Sequence, residues 1–198
     1  MNDLEIRRMY LSDDEWERTS PSWKAMKPHR NFNEFKVTDE SAQGCYERLK
    51  NSFDIPFDVI DQWLFPHYFN SNSVNNYGWI DYSKCIFDKV LLNIGSLVSL
   101  NVIEKYKAYV QMRESSQPFK EFMCIPKDIE HWKVQCTWRV PPIVIDVQSF
   151  HNIPVYSEIT GHLQLVEGHS RLGYLLAMHR SGILNKESHE VYILRPKN

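Results

Sequence analysis

The chain has 198 residues, 42% hydrophobic and 24% charged, with a formal net charge of -2. Those figures fit a folded globular protein with a sizeable core. They argue against a broadly basic duplex-DNA clamp, and no apolar run approaches the length of a bilayer span. The opening "MNDLEIRRMY" is charged throughout and shows no signal-peptide pattern. Cys45, Cys85, Cys124 and Cys136 form no CxxC pair. The thiols are therefore read as reduced and buried, and the compartment as cytoplasmic.

In chain order, "LSDDEWERTS" sets Ser12 three places before Glu15, the spacing of a capping box, so a short helix starts there. "SPSWKAMKPHRNFNEF" contains Pro21 and Pro28 and little periodicity, and reads as an irregular arm. Lys24, Lys27, His29 and Arg30 give that arm a small basic cluster beside Trp23, either a solvated surface or a phosphate or partner contact. Thr38 to Ser52 reads as a helix with a polar N-cap and an acidic first turn. Pro56 opens a second helix with Phe57, Ile60 and Leu64 at helical spacing, which Pro66 ends or bends. "NSNSVNNYG" reads as a loop. Asp81 to Ser115 is apolar almost all round its middle and is expected to form two buried helices meeting near Asn93–Ser96.

From Pro118 the pattern shifts towards strands. "HWKVQCTWRVPPIVIDV" is read as two strands, the second covering Pro142–Val147, and "HLQLVEG" as another. "SRLGYLLAMHRSGIL" carries Leu172, Leu175 and Leu176 on one helical face, with Gly182 as its C-terminal stop. "HEVYILRP" is a closing strand. The expected class is α+β: a mainly helical N-terminal region, 1–117, followed by a small α/β core, 118–198.

The chemistry concentrates where a strand gives way to a helix, at Glu167-Gly168-His169-Ser170-Arg171. A helix N-terminus presents unpaired N–H groups and a partial positive charge, which together favour anions. Gly168 lets backbone approach an anion closely, and Arg171 adds a forked, permanently charged donor. Ser170 can donate a hydrogen bond or cap the helix, while His169 can donate or carry a proton. Glu167 could act as a base, orient a metal-bound phosphate, or simply end a strand in solvent.

The remaining histidines are less telling. His151, His162, His169 and His189 are spaced by eleven, seven and twenty residues, which matches no compact metal-ligand pattern. No protein-held metal site is therefore expected. Asp146, His151 and Glu158 sit near one loop and could line a common cleft. His179 and Arg180 lie near a helix C-terminus, where cations are favoured by the dipole. No GxxxxGK[ST], GxGxxG or GxSxG motif occurs.

The order "PPIVID", loop, "LQLVEGHSR", helix, "VYIL" resembles the ParB/sulfiredoxin superfamily. Members carry a strand, a short Gly-x-x-Arg turn and a helix, and the five residues here are closest to the aspartate-glycine-histidine-histidine-arginine form of its free serine kinases. The resemblance covers 118–198 and implies a nucleotide cofactor, ATP or CTP with Mg²⁺. Gly168, His169, Ser170 and Arg171 would hold its phosphates, with Glu167 and His169 as catalytic candidates. Leu172 stands where ParB proteins carry a second arginine, and no cysteine occupies the turn, so sulfiredoxin chemistry is not expected. No helix-turn-helix pattern follows the core.

Three readings follow from these residues. The first is a nucleotide-binding protein able to transfer phosphoryl groups or hydrolyse nucleoside triphosphates. The second is a non-catalytic antitoxin, immunity or regulatory module on a degenerate core, meeting a protein partner through the helical N-terminal region. The third is a ParB-like nuclease or DNA-binding protein. The sequence leaves open whether the chain is an enzyme and whether it touches nucleic acid.

Overall fold

The computed structural model describes residues 11–33 and 36–197. The architecture is α+β, with helices, a two-stranded ladder and a four-stranded mixed sheet. By packing, the chain divides into one unit made of 1–87, 151–158 and 196–198, and a second made of 88–150 and 159–195. Residues 88–117, grouped with the N-terminal region in the sequence reading, belong by their contacts to the second unit.

In the first unit, helix α1 (Asp13–Glu17) begins as expected. Ser12 Oγ accepts from the Glu15 amide, and the Glu15 carboxylate accepts from the Ser12 amide in return. The stretch read as an arm is instead ordered. Ser20 caps α2 (Pro21–Ala25), where Pro21 costs nothing because the first helical N–H has no partner to lose. Strands β1 (Arg30–Asn33) and β2 (Lys36–Asp39) then form an antiparallel ladder; Glu34 and Phe35 lie outside the described residues. The expected basic cluster is not a single feature: Trp23 is fully buried, Lys24 reaches Glu17 at 3.8 Å, and the side chain of Arg30 lies outside the description.

Helix α3 (Ala42–Leu49) is shorter than the periodicity predicts, because β2 occupies the chain up to Asp39 and Ser41 supplies the cap. The helical run from Phe57 passes through a π turn, Ile60–Leu64, and continues to His67. Pro66 therefore does not end the helix; the wider turn lies just before the proline ring, which can donate no backbone hydrogen bond. "NSNSVNNYG" is α4 (Ser71–Tyr77) and not a loop. Asn70 caps it, and Val74 and Tyr77 bury one face, so tertiary packing overrides poor helix formers.

The core of this unit is aromatic. Trp23 stacks on Tyr68 with ring centroids 5.2 Å apart, the Tyr68 hydroxyl donates to the Trp23 carbonyl, and Trp63 meets Tyr77 edge-on at 5.5 Å. These aromatic side chains go into the interior and not onto a surface.

The sheet runs in the order β3 (Cys85–Asn93), β6 (Ser188–Pro196), β4 (Ile143–Asp146), β5 (Leu163–Glu167). Strand β4 is antiparallel to β5 and parallel to β6. Central β4 is buried at Ile143, Val144 and Ile145, the continuous apolar run of a strand covered on both faces. Edge strand β3, beside β6, replaces an expected helix. Cys85 and Phe87 are buried at a two-residue period, and Asn93 then caps α5 (Ile94–Val98) by accepting from the Ser96 amide. An all-round apolar stretch does not distinguish strand from helix, and sheet pairing decides it here.

The second unit adds α6 (Glu104–Glu114), α7 (Pro126–Gln135) and α8 (His169–Arg180). Helix α7 occupies part of "HWKVQCTW", where a strand was expected. Pro126 at its first position and buried Trp132 and Cys136 at an i, i+4 spacing favour the helix, and Cys136 ends it in the left-handed conformation. The two closing elements, α8 and β6, fall where the sequence places them, and Gly182 follows α8 with φ +67°.

His189 sits wholly buried on β6 with Nδ1 2.9 Å from Thr137 Oγ1. Burial, helped by the Lys186 charge, lowers its pKa to about 4. Below pH ~6.5 the unfolded chain binds a proton that the folded chain refuses, so stability falls as pH drops towards 4, by up to about 1.4 kcal/mol per pH unit. Urea unfolding of wild type and His189→Asn across pH 7 to 4.5 tests this. The variant is expected to start less stable and to lose stability less steeply.

Candidate functional site

The strand-to-helix seam lies inside the second unit. Its shape is set by Gly168, the N-cap residue of α8, at φ +107°. A Cβ at that position would stand 2.7 Å from Pro142 Cβ, so only glycine fits, for two reasons: the left-handed backbone and the close approach to Pro142. The N-cap residue Gly168 makes no side-chain capping bond to α8. Ser170 is thus inside the helix and not its cap.

Each predicted residue has a definite place. Arg171 donates from Nη1 to the Val140 carbonyl at 2.8 Å, and its Nη2 lies 3.8 Å from Glu167 Oε1. Both side chains are largely covered, with 21% of Arg171 and 24% of Glu167 exposed, so the pair spans the seam and closes on the loop before β4. His169 is buried, its ring 4.4 Å from that of Tyr106. Ser170 turns towards α6: its Oγ is 2.7 Å from the Tyr109 hydroxyl.

Sequence reasoning missed two side chains here, Tyr109 and Arg113. They lie one turn apart on α6, and Arg113 Nη2 donates to the Tyr109 hydroxyl at 3.2 Å. The guanidinium carbon also lies 4.9 Å from the Tyr109 ring centroid. Burial pushes the phenol pKa up. The hydrogen bonds from Ser170 and Arg113 and the positive charge of Arg113 outweigh that, despite the opposing charge of Glu167, and leave it below the ordinary value. The hydrogen bond to Tyr109 in turn raises Arg113. The only sequence signal was the i, i+4 spacing of a tyrosine and an arginine on one helix, with nothing to connect them to Ser170, 61 residues away.

The two helices meet because Gly173 on α8 lets them. A Cβ there would be 2.4 Å from Arg113 Cβ and 2.8 Å from the Val110 carbonyl oxygen. That contact lies one turn below Ser170 on α8 and one turn below Tyr109 on α6, so it sets the hydroxyl-to-hydroxyl distance.

Asp146 and His162 face each other at 3.7 Å in the second unit, while His151 and Glu158 belong to the first. Among the described residues no three His, Cys, Asp or Glu side chains gather as metal ligands, and no helix is long and apolar enough to cross a membrane. A groove of about 570 Å³ opens elsewhere in the second unit, lined by His131, Thr137, Trp138, Arg139, Lys186 and Glu190 among others, and includes none of the seam residues.

Comparison with family models, with curated proteins and with solved structures returns no match.

Replacing Gly173 tests the helix crossing. Gly173→Ala forces an overpacked contact against backbone and is expected to cost about 2 kcal/mol or more in urea unfolding. Gly182→Ala, where a Cβ meets nothing within 4 Å, carries only the left-handed strain and is expected to cost about 1 kcal/mol.

Proposed function

We propose that the second unit binds the phosphate groups of a nucleotide, ATP or CTP with Mg²⁺, at the N-terminus of α8, as the resemblance to the ParB/sulfiredoxin superfamily implies. The observation that carries this reading is Gly168, the N-cap residue of α8, which has no side chain to cap the helix and is held in the left-handed region against Pro142. Such a turn offers backbone donors and the positive end of a twelve-residue helix to an anion.

The side chains divide the work. Gly168 permits close approach of the backbone, Ser170 supplies a hydroxyl, and Arg171 holds positive charge at the seam while anchoring it to Val140. Glu167, paired with Arg171, offers an oxygen to a phosphate-bound Mg²⁺, an arrangement in which the ion and not the protein supplies most of the charge. His169, packed on Tyr106, shapes the turn and lies close enough in sequence to serve a proton.

Calorimetric titration with ATP and with CTP, each with and without Mg²⁺, tests the reading. Wild type is expected to bind at least one of them. Ser170→Glu, which sets a carboxylate at the turn, and Arg171→Ala are each expected to weaken binding by about tenfold or more, with folding checked by circular dichroism. Absence of heat with both nucleotides, or unchanged affinity in Ser170→Glu, overturns it.

A further inference from the structure

The hydroxyl of Ser170 has a more specific setting than phosphate binding requires. It lies 2.7 Å from the Tyr109 hydroxyl, and that hydroxyl accepts a hydrogen bond from Arg113 at 3.2 Å. Nucleophile, base and a cationic group beside the base thus stand in a row, the order in which activated serines are assembled. A phenol is a poor base at its ordinary pKa and a better one when a cation stabilises its anion. Arg113 meets that need twice, through its hydrogen bond and through the guanidinium carbon 4.9 Å from the Tyr109 ring centroid.

The surroundings are consistent with chemistry at Ser170. Tyr109 is 37% exposed, so the pair is open to a reactant. Arg113 itself is held on several sides: Nη1 donates to Met123 Sδ, and its guanidinium carbon lies 5.8 Å from the Tyr174 ring centroid. The charged groups acting on Tyr109 are Arg113 on its own helix and Glu167 at the end of β5, and Ser170 on α8 hydrogen-bonds it; the first and last favour its anion and Glu167 opposes it.

We propose that Ser170 is a nucleophile towards activated phosphorus esters, with Tyr109 as its proton acceptor and Arg113 as the residue that positions and charges Tyr109. The class of electrophile rests on the phosphate reading given above. In the step, the Ser170 proton passes to the Tyr109 phenolate oxygen while the Oγ–phosphorus bond forms. The bond from phosphorus to its leaving oxygen breaks, and the leaving group, a nucleoside diphosphate when the donor is a triphosphate, departs with the electron pair. Ser170 is left as a phosphoester and Tyr109 as a neutral phenol. Arg113 touches no reacting atom and acts through Tyr109.

A purely structural latch between α6 and α8 would keep the same hydrogen bonds, so the test reads reactivity. The full chain is treated with an alkyl fluorophosphonate, in which fluoride is the leaving group, and the rate of labelling at Ser170 is followed by mass spectrometry from pH 6 to 10. Wild type is expected to label at Ser170 with an apparent pKa below that of free tyrosine. Ser170→Ala is expected to lose the label, and Tyr109→Phe, which keeps the ring, to react at least about tenfold more slowly at pH 7.5. Arg113→Met, which keeps the stem that packs on Gly173, is expected to shift the profile towards the ordinary tyrosine value of ~10. No label at Ser170 in wild type, an equal rate in Tyr109→Phe, or an unshifted profile in Arg113→Met overturns the proposal. Labelling of Ser170 in a protein that gives no heat with ATP or CTP supports the nucleophile and removes the nucleotide reading. Heat with a nucleotide but no label does the reverse.

Discussion

The close crossing of α6 and α8 at Gly173 is the contact on which the candidate site depends. A hydrogen in place of a side chain lets the Arg113 stem and the Val110 carbonyl approach the α8 backbone, and every residue one turn away inherits that spacing. Ser170 and Tyr109 meet because of it. Both helices also bury residues in one continuous core: Val110 from α6, and Leu172, Leu175 and Met178 from α8, packed with Val144, Leu165 and Val191 of the sheet. The polar row at the surface is therefore held by apolar packing beneath it, which is how a hydroxyl pair can be kept at 2.7 Å without a cap or a metal.

Gly168 sets the other coordinate. It turns the chain from β5 into α8 over Pro142, and Pro142 directly precedes β4, the strand paired with both β5 and β6. The direction of α8 is thus tied to the middle of the sheet through one tight contact. Arg171 reinforces the same joint from the other side by donating to the carbonyl of Val140. The motif residues first act as a hinge that is locked, and only then as a surface that a ligand could meet.

What could be read from the amino acids, and what could not, follows physical lines. The segments β4, β5, α8 and β6 were legible because burial on both faces, or one apolar helical stripe bounded by glycines, leaves an unambiguous trace. Strand β3 was not, since "CIFDKVLLN" is apolar enough to serve either structure and its pairing partner lies about a hundred residues on, a distance no local window sees. The part of α7 within "HWKVQCTW" reads as a strand because Trp and Val favour strands on average, yet Pro126 and the Trp132–Cys136 spacing decide for the helix. The seam at 167–171 stands out in the sequence, but Tyr109 and Arg113, whose side chains make the hydrogen-bonded row with Ser170, come from a helix brought there by tertiary packing alone.

Charge balance at the seam would couple the proposed binding to the proposed reactivity. Glu167 and Arg171 offset one another, while Arg113 gives its hydrogen bonds to neutral groups, a phenol and a thioether. The cluster therefore carries one positive charge in excess while Tyr109 is protonated. Ionisation of Tyr109 would cancel that excess, and so would an arriving anion. The two would compete for the same guanidinium field, so under the proposed chemistry a bound phosphate by itself would push the proton back onto Tyr109 and weaken the base. With Glu167 holding a divalent cation beside the phosphates, their charge would be offset and Arg113 left to the phenolate. On this account the Mg²⁺ dependence of any phosphoryl chemistry here would exceed that of binding, with Glu167, the one carboxylate at the turn, as the protein group best placed to hold the ion without displacing Arg113 from Tyr109.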